Sequence, residues 1–428
     1  MMTVQFAAFI LLLLLSVPIV VAMAVATIIP PVFDAKFPMG MEYILRSLVS
    51  GVDSTPLLAI PLFVLSGAIM AAGGISKRLF DLAAYVIGRR TGGMPMAVVL
   101  TCLFYGAISG SGPATCAAVG AMTIPLLVSL GYGRVFSAAL VASASGLGII
   151  IPPSIPFILW GLATDASVGS LFIAGIIPGI LIALALMIFV YAYCRIRGED
   201  KERIAANCEE LRRKGFVRVF LESIWALLAP VIILGGIYSG IITPTEAAGV
   251  SVLYALIVAL FIYRTIRFGD IGRILSETVF SYAPILALIA VSFAFSRVLT
   301  LVGAPTALAS FLLDNFESKV AFLLVLNLVL IVLGMFIDVG PAILIIGPLL
   351  MPIANAFGVD IVHLGVIVTI NLAIGFVSPP FGLNLFVAGS LSKEPVLSIG
   401  RMAIPFALCI IAVLLLVTYV PWIALGLI

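Results

Sequence analysis

Charge and histidine are scarce in this chain: 10% of its 428 residues are charged and there is a single histidine, His363. An average soluble domain carries roughly a quarter charged residues, so an ordinary soluble enzyme is excluded. The five cysteines, Cys102, Cys116, Cys194, Cys208 and Cys409, show no paired or metal-ligand spacing, which argues against disulfides and zinc. No G-x-x-x-x-G-K-[ST] run is present, which removes a phosphate loop and with it an ATP-driven pump. A serine protease built on Ser109 or Ser111 would need a base within reach, yet the one histidine lies in the other half of the sequence. Beside Asp360, His363 reads as a surface residue. An aspartyl protease needs two carboxylates in one site, and Asp338 has no evident second acid at membrane depth.

Apolar residues make up 63% of the chain. A membrane-spanning helix takes about 20 of them, and the apolar stretches leave room for about ten or eleven spans. The opening run Phe6 to Ile29 is too long for a signal-peptide core and lacks a basic leader, so it reads as the first span. Basic residues gather at Lys77 to Arg90, at Arg134, from Arg195 to Arg218, from Arg264 to Arg273, and at Lys393 and Arg401. These are the cytoplasmic loops by the positive-inside rule. They place the N-terminus in the cytoplasm and the C-terminus on the periplasmic side. Residues 195–222 form the only sizeable soluble piece, a charged helix or linker near the middle.

The two halves share their helix breakers. At a shift of 227 residues Gly148 falls on Gly375, Pro152-Pro153 on Pro379-Pro380, Gly120 on Gly347 and Pro125 on Pro352; one residue more puts Gly106 on Gly334 and Pro113 on Pro341. Matched breakers at a fixed offset mark an internal duplication. One lone span, about Trp225 to Ile242, follows the basic linker, so the second repeat runs upside down. Inverted repeats with matched breaks are an architecture of secondary transporters, with the site at midplane where the repeats meet. Short amphipathic stretches at about Pro38 to Ser50 and Phe268 to Val279 precede a span in each half and suit the membrane interface.

Tyr105 to Thr115 places three glycines, a proline and three hydroxyl residues inside an apolar run. Non-helical backbone at membrane depth survives only where protein or a wet cavity satisfies it. Residues 94–129 therefore read as a re-entrant hairpin with its tip at 106–115, and residues 321–354 as a second with its tip at 334–341. Freed carbonyls and hydroxyls at such tips are hard ligands suited to an alkali cation. Double prolines in Ser145 to Ser154 and in Gly375 to Asn384 remove amide donors and unwind a helix. The half-helix ends then attract anions or cations, and Ser154, Ser378 and Asn384 add polar groups. Asp338 is the one carboxylate placed deep in the apolar interior. Glu246 after Thr243-Pro244 reads as a helix-start residue. Arg297 sits about 20 residues into its span, as a snorkelling residue or as a carboxylate contact or gate. An ion channel stays open as an alternative, as does a carboxylate transporter that works without a binding protein.

The stretches Tyr105 to Gly120, Ile151-Pro-Pro-Ser-Ile-Pro156 and Thr164 to Gly175, with Gly375 to Asn384, closely resemble the large membrane subunit of tripartite ATP-independent periplasmic (TRAP) transporters. The resemblance implies an all-α polytopic membrane protein of a bacterial inner membrane, with inverted repeats, two re-entrant hairpins and two broken helices. It implies Na⁺-coupled import of an organic acid, of the sialic acid or C4-dicarboxylate class, by an elevator motion. It also implies two partners, a small four-helix membrane subunit and a periplasmic substrate-binding protein, with no role for nucleic acid. On that pattern the moving transport domain is residues 94–170 and 321–392. The scaffold is then 1–93, 171–320 including the linker, and the final span 393–428. One Na⁺ site would use Ser109, Ser111, Gly112 and Thr115 with Ser145, Gly146 and Gly148. A second would use Asp338 and Gly340 with Gly375 and Ser378. Arg297 and Ser154 become substrate candidates, together with Asn384, Pro153 and Pro380 at the two breaks.

Overall fold

A backbone that meets lipid must satisfy its hydrogen bonds internally, which in a chain this apolar means helices. A computed structural model describes residues 2–15, 17–34, 37–316, 318–379 and 381–428, and among them there are helices and no strands. The first half runs α1 (Met2–Leu14), α2 (Ile19–Phe33), α3 (Met41–Val52), α4 (Ala59–Ala72), α5 (Ile75–Ile87), α6 (Gly93–Ser109), α7 (Gly112–Ser129), α8 (Arg134–Ala144), α9 (Ile155–Thr164) and α10 (Val168–Arg197). After the charged helix α11 (Lys201–Arg213) come α12 (Phe216–Tyr238), α13 (Pro244–Ile257), α14 (Phe268–Leu301), α15 (Ala304–Asn315), α16 (Lys319–Phe336), α17 (Val339–Ala356), α18 (Ile361–Gly375), α19 (Leu383–Ser392) and α20 (Val396–Tyr419). A four-residue turn, α21 (Trp422–Leu425), closes the order.

Nine helices among the described residues are long and apolar enough to cross a membrane, fewer than the ten or eleven expected from apolar length. The difference lies in the broken segments. Phe6 to Ile29 is not one span: α1 and α2 are separate, with Pro18 between them, and they pack against each other. Arg134–Ile149, Ile155–Thr164, Ile361–Gly375 and Leu383–Ser392 are likewise short apolar helices. The interfacial stretch of the first half is a helix of its own, α3, whereas that of the second is fused into the 34-residue α14.

The duplication reaches further than its breakers. Shifted by 227 residues, the start of α8 coincides with that of α18 and the start of α7 with that of α17, while α2 falls on α13 and α3 on the first part of α14. The supposed lone span, α12, is therefore the counterpart of α1. Contacts between the halves are exchanged: α7 packs on α19, and α17 packs on α9. Gly146 faces Ala373, its own equivalent at that shift, with a Cβ built on the glycine 3.8 Å from the alanine Cβ. A residue that meets its own counterpart lies on the pseudo-twofold axis, so the two broken helices cross there.

Packing groups most of the helices into two sets, which meet through α17 on α14 and α6 on α4. One contains α2, α3, α4, α12, α13 and α14, where α4 lies on α13 and α3 on α14. The other contains α6 to α9 and α16 to α19, and α10 and α20 pack with it, α20 against α8 and α10 against α6. The arms of the first hairpin lie side by side, whereas α16 and α17 meet only near their tip, and α17 leans on α14 and α15 instead.

The linker is stapled down by Glu199. Both its carboxylate oxygens accept the Gly92 N–H at 3.0 Å, and the Tyr132 hydroxyl donates to Oε1. Burial and the Glu199 carboxylate push the Tyr132 phenol up from its ordinary range. Tyr132→Phe should cost about 1.5 kcal/mol, the low end for a hydrogen bond to a charged group because the pair is half-exposed. A lowered melting temperature of the detergent-solubilised protein checks this, and an unchanged one contradicts it.

Candidate functional site

The first hairpin turns on a glycine and the second on an extended two-residue break, Ile337-Asp338. Gly110 ends α6 in the left-handed region (φ 63°), and Ser111 starts α7 by accepting the Ala114 N–H. In the second half Asp338 caps α17, its Oδ1 accepting the Val339 N–H at 2.8 Å. Each tip then presses against the broken helix of its own half through a glycine pair. A Cβ on Gly106 would lie 2.7 Å from Gly148 Cα, and one on Gly375 would lie 2.4 Å from the Gly334 carbonyl carbon and oxygen. Real Cβ atoms do not approach backbone so closely, so both crossings need glycine.

At the first tip the hydroxyls converge. Thr115 Oγ1 donates to the Ser111 carbonyl at 2.8 Å, and Ser109 Oγ lies 2.9 Å from Thr115 Oγ1. A hydroxyl that gives its proton to a carbonyl keeps its lone pairs for another partner. The Gly148 backbone packs directly on this group, since a Cβ there would be 2.5 Å from Thr115 Oγ1 and 2.8 Å from the Ser111 oxygen. Ser145 Oγ donates to the Val141 carbonyl at 2.6 Å, beside the Cys102 thiol. Ser109, Ser111, Thr115 and Gly148 thus form one cluster of hard oxygen donors and bare backbone, the donor set an alkali cation takes. Gly112 instead abuts the second half, with its built Cβ 3.1 Å from the Phe376 ring and 3.5 Å from Asn384 Nδ2.

Asp338 sits at the second tip, as the residue that caps α17. It is exposed on a cavity of about 430 Å³ lined by Gly334 to Asp338, Leu13, Phe376, Phe381 and Leu383. The reason is local: the tip is a two-residue break between helix ends, so its side chain projects outward from the turn. Gly375 and Ser378 lie behind that tip, with Ser378 Oγ donating to Ile374 at 2.8 Å. Gly340 packs toward the first half, against Leu159.

The substrate candidates are not gathered at one point. Ser154 is fully buried and both its bonding directions are used, donating to the Ile149 carbonyl at 2.6 Å and accepting the Phe157 N–H at 3.3 Å. Asn384 is also fully buried, and its Nδ2 donates to the Ala142 carbonyl at 3.0 Å, tying the second break to the first half. Pro153 is buried, its carbonyl 2.8 Å from a Cβ built on Gly110. Pro380 lies outside the described residues. Arg297 is exposed and turned to α3, donating to Ser50 Oγ at 2.7 Å and Ser47 Oγ at 3.4 Å. It braces the interfacial helix to α14.

The structure adds groups that reading the sequence passed over. A second cavity, about 560 Å³, lies between α4, the first tip and the start of α14, and is lined by Tyr105, Ser109, Ser111, Glu277, Thr278 and Ser281 among others. Asn371 Nδ2 donates to Asn327 Oδ1 at 2.8 Å, and Asn327 Nδ2 to Thr418 Oγ1 at 3.1 Å, joining α16, α18 and α20 by a buried polar chain. Two asparagines in otherwise apolar runs were the available signal, because amides at membrane depth bind helices together. His363 is 1% exposed rather than on the surface, with Nε2 2.9 Å from the Val417 carbonyl. Packing of α20 over α18 covers it, which a local reading around Asp360 does not reveal.

Comparison with known proteins matches residues 6–423 to the family described as "Tripartite ATP-independent periplasmic transporter, DctM component". The chain is 41% identical to the isethionate TRAP transporter permease protein DctMQ of Oleidesulfovibrio alaskensis over 98% of its own length, and spans 65% of that longer protein. It is 42% identical to the C4-dicarboxylate TRAP transporter large permease protein DctM of Pseudomonas aeruginosa, covering 87% of this chain and 86% of that one. With the sialic acid TRAP transporter large permease protein SiaM of Vibrio cholerae it shares 34% over 89% and 88%. Two solved transporters share the fold at 15% identity: MtrF of Neisseria gonorrhoeae (TM-score 0.65, 93% of each chain) and YdaH of Alcanivorax borkumensis (TM-score 0.60, 95% of this chain and 97% of that).

Proposed function

The chain belongs to the DctM component family of tripartite ATP-independent periplasmic transporters, and from that premise we propose that it imports an organic acid across a bacterial inner membrane, driven by Na⁺. The observation that carries the coupling is the pair of glycine-locked tips, each set on a broken helix and each offering oxygen donors. Dragging an anion through hydrocarbon is costly, and cations bound at the tips offset its charge before it crosses. Ser109, Ser111, Thr115 and the Gly148 backbone are assigned to one Na⁺, and Asp338 with the Gly334 and Gly375 crossing to another.

Alternating access is assigned to an elevator motion of the hairpin set. Helices α10 and α20 pack with the hairpins, so the proposed moving body is larger than residues 94–170 and 321–392 and takes in the last long span. The fixed body is α2 to α4 with α12 to α14, whose exposed apolar faces, with Leu221, Val231 and Leu253 among them, suit lipid and a small four-helix subunit. A soluble binding protein delivers the acid on the periplasmic side. The relatives named for C4-dicarboxylate, sialic acid and isethionate support an anionic substrate.

The test is uptake into proteoliposomes holding this chain with its small subunit and binding protein, using radiolabelled sialic acid and succinate. Accumulation is expected only with an inward Na⁺ gradient and the binding protein present. If more than one Na⁺ accompanies each monocarboxylate, an inside-negative potential adds roughly 2.3 kcal/mol per net charge for each 100 mV, and substrate addition gives inward current. Flux indifferent to sodium and to the binding protein would instead mark a channel.

A further inference from the structure

The cavity at the first tip has an unusual balance of charge. Among its lining residues Glu277 is the only ionisable group besides the Tyr105 phenol, and no lysine, arginine or histidine lines it. Three of its five hydroxyls are already spent as donors. Thr278 Oγ1 donates to Ile274, Ser281 Oγ to the Glu277 carbonyl, each at 2.8 Å, and the Tyr105 hydroxyl to Gly67 at 3.3 Å. A hydroxyl that has given its proton keeps its lone pairs for another partner, and Glu277 adds a carboxylate, exposed on the first turns of α14. The chamber thus offers more acceptors than donors, the Ser111 hydroxyl being a donor with no partner among the described residues. Its volume, about 560 Å³, falls in the ordinary range for small-molecule sites.

We infer that Glu277 is a specificity-determining residue, which favours acids carrying hydroxyl or ammonium donors and disfavours those carrying a second carboxylate. A hydroxyl or ammonium group meets the acceptors and the Glu277 charge. The substrate's first carboxylate is offset by the cation assigned to Ser109 and Ser111, which leaves a second carboxylate to meet the like charge of Glu277 unrelieved, and rejection by an unpaired buried or partly buried charge is how sites discriminate most strongly. This inference rests on the transport reading and deepens it by naming the substrate class.

The test bypasses selection by the binding protein. Binding of N-acetylneuraminate, ectoine and succinate is measured directly on the purified permease with its small subunit, in saturating sodium, for the native protein, Glu277→Gln and Glu277→Asp. The native protein should bind the first two at least tenfold tighter than succinate. Glu277→Gln should shrink that ratio at least fivefold, mainly by strengthening succinate, and Glu277→Asp should largely keep it. Because Glu277 is exposed and makes no ion pair among the described residues, the variants should fold normally, which their melting temperatures report. Sodium-dependent binding with an unchanged ratio in Glu277→Gln, or a native preference for succinate, overturns the role of Glu277 alone. Loss of any sodium dependence in the native protein would instead overturn the transport reading beneath it.

Discussion

Gly375→Ala should nearly abolish sodium-driven uptake in a protein that still folds into the membrane. The added methyl would sit 2.4 Å from the carbonyl carbon and oxygen of Gly334 and 2.6 Å from its Cα. None of these is the end of a flexible side chain, so either α18 or the second tip must shift. Overpacking of this kind costs about 1–3 kcal/mol, equivalent to about 5- to 150-fold in an equilibrium such as cation occupancy. Gly148→Ala should behave alike, because its Cβ would press on Thr115 Oγ1 at 2.5 Å and on the Ser111 carbonyl at 2.8 Å. Gly249→Ala is the control: nothing lies within 4 Å of its built Cβ, and alanine in a helix gains stability over glycine. Initial uptake rates across a sodium series, with melting temperatures alongside, decide the matter. Near-native rates in Gly375→Ala would show that the crossing of tip and broken helix is not part of the transport site.

Asp338→Asn should separate charge from structure at the second tip. The amide oxygen can still accept the Val339 N–H that Oδ1 now accepts at 2.8 Å, so the start of α17 keeps its cap and the fold should hold. What is lost is the negative charge facing the cavity of about 430 Å³. If that charge ligates a cation, its removal should raise the half-saturating sodium concentration about 10- to 150-fold, the range for losing a contact worth 1.5–3 kcal/mol to a charged group. Asp338→Ala should add a loss of stability of about 0.5–2 kcal/mol, because the cap goes as well. Sodium titrations of uptake and thermal melts read the two effects separately. A normal sodium dependence in Asp338→Asn would remove Asp338 from the cation site and leave it as a cap alone.

Much of the molecule was legible in its sequence. Low charge, long apolar runs and basic loops require a polytopic helical membrane protein, because lipid leaves the backbone only helices or closed barrels and barrel strands alternate in polarity rather than running apolar for twenty residues or so. Breakers repeated at a near-constant shift located both tips and both broken helices to within a few residues, since glycine and proline act on the local backbone wherever they stand. What the tertiary structure alone decided is which groups meet. Gly375 and Gly334 are 41 positions apart in sequence, and only the crossing of α18 with the second tip gives either glycine its necessity. The sequence leaves Arg297 open between snorkelling and a carboxylate contact, and folding gives it the α3 hydroxyls as partners; His363 beside Asp360 suggests the surface but lies under α20, and only folding sets Glu277 across a cavity from Ser109 and Ser111. Local backbone rules are carried by single residues and their neighbours, so a sequence states them; a side chain's partners and its exposure depend on how distant helices pack, and no segment contains that information by itself.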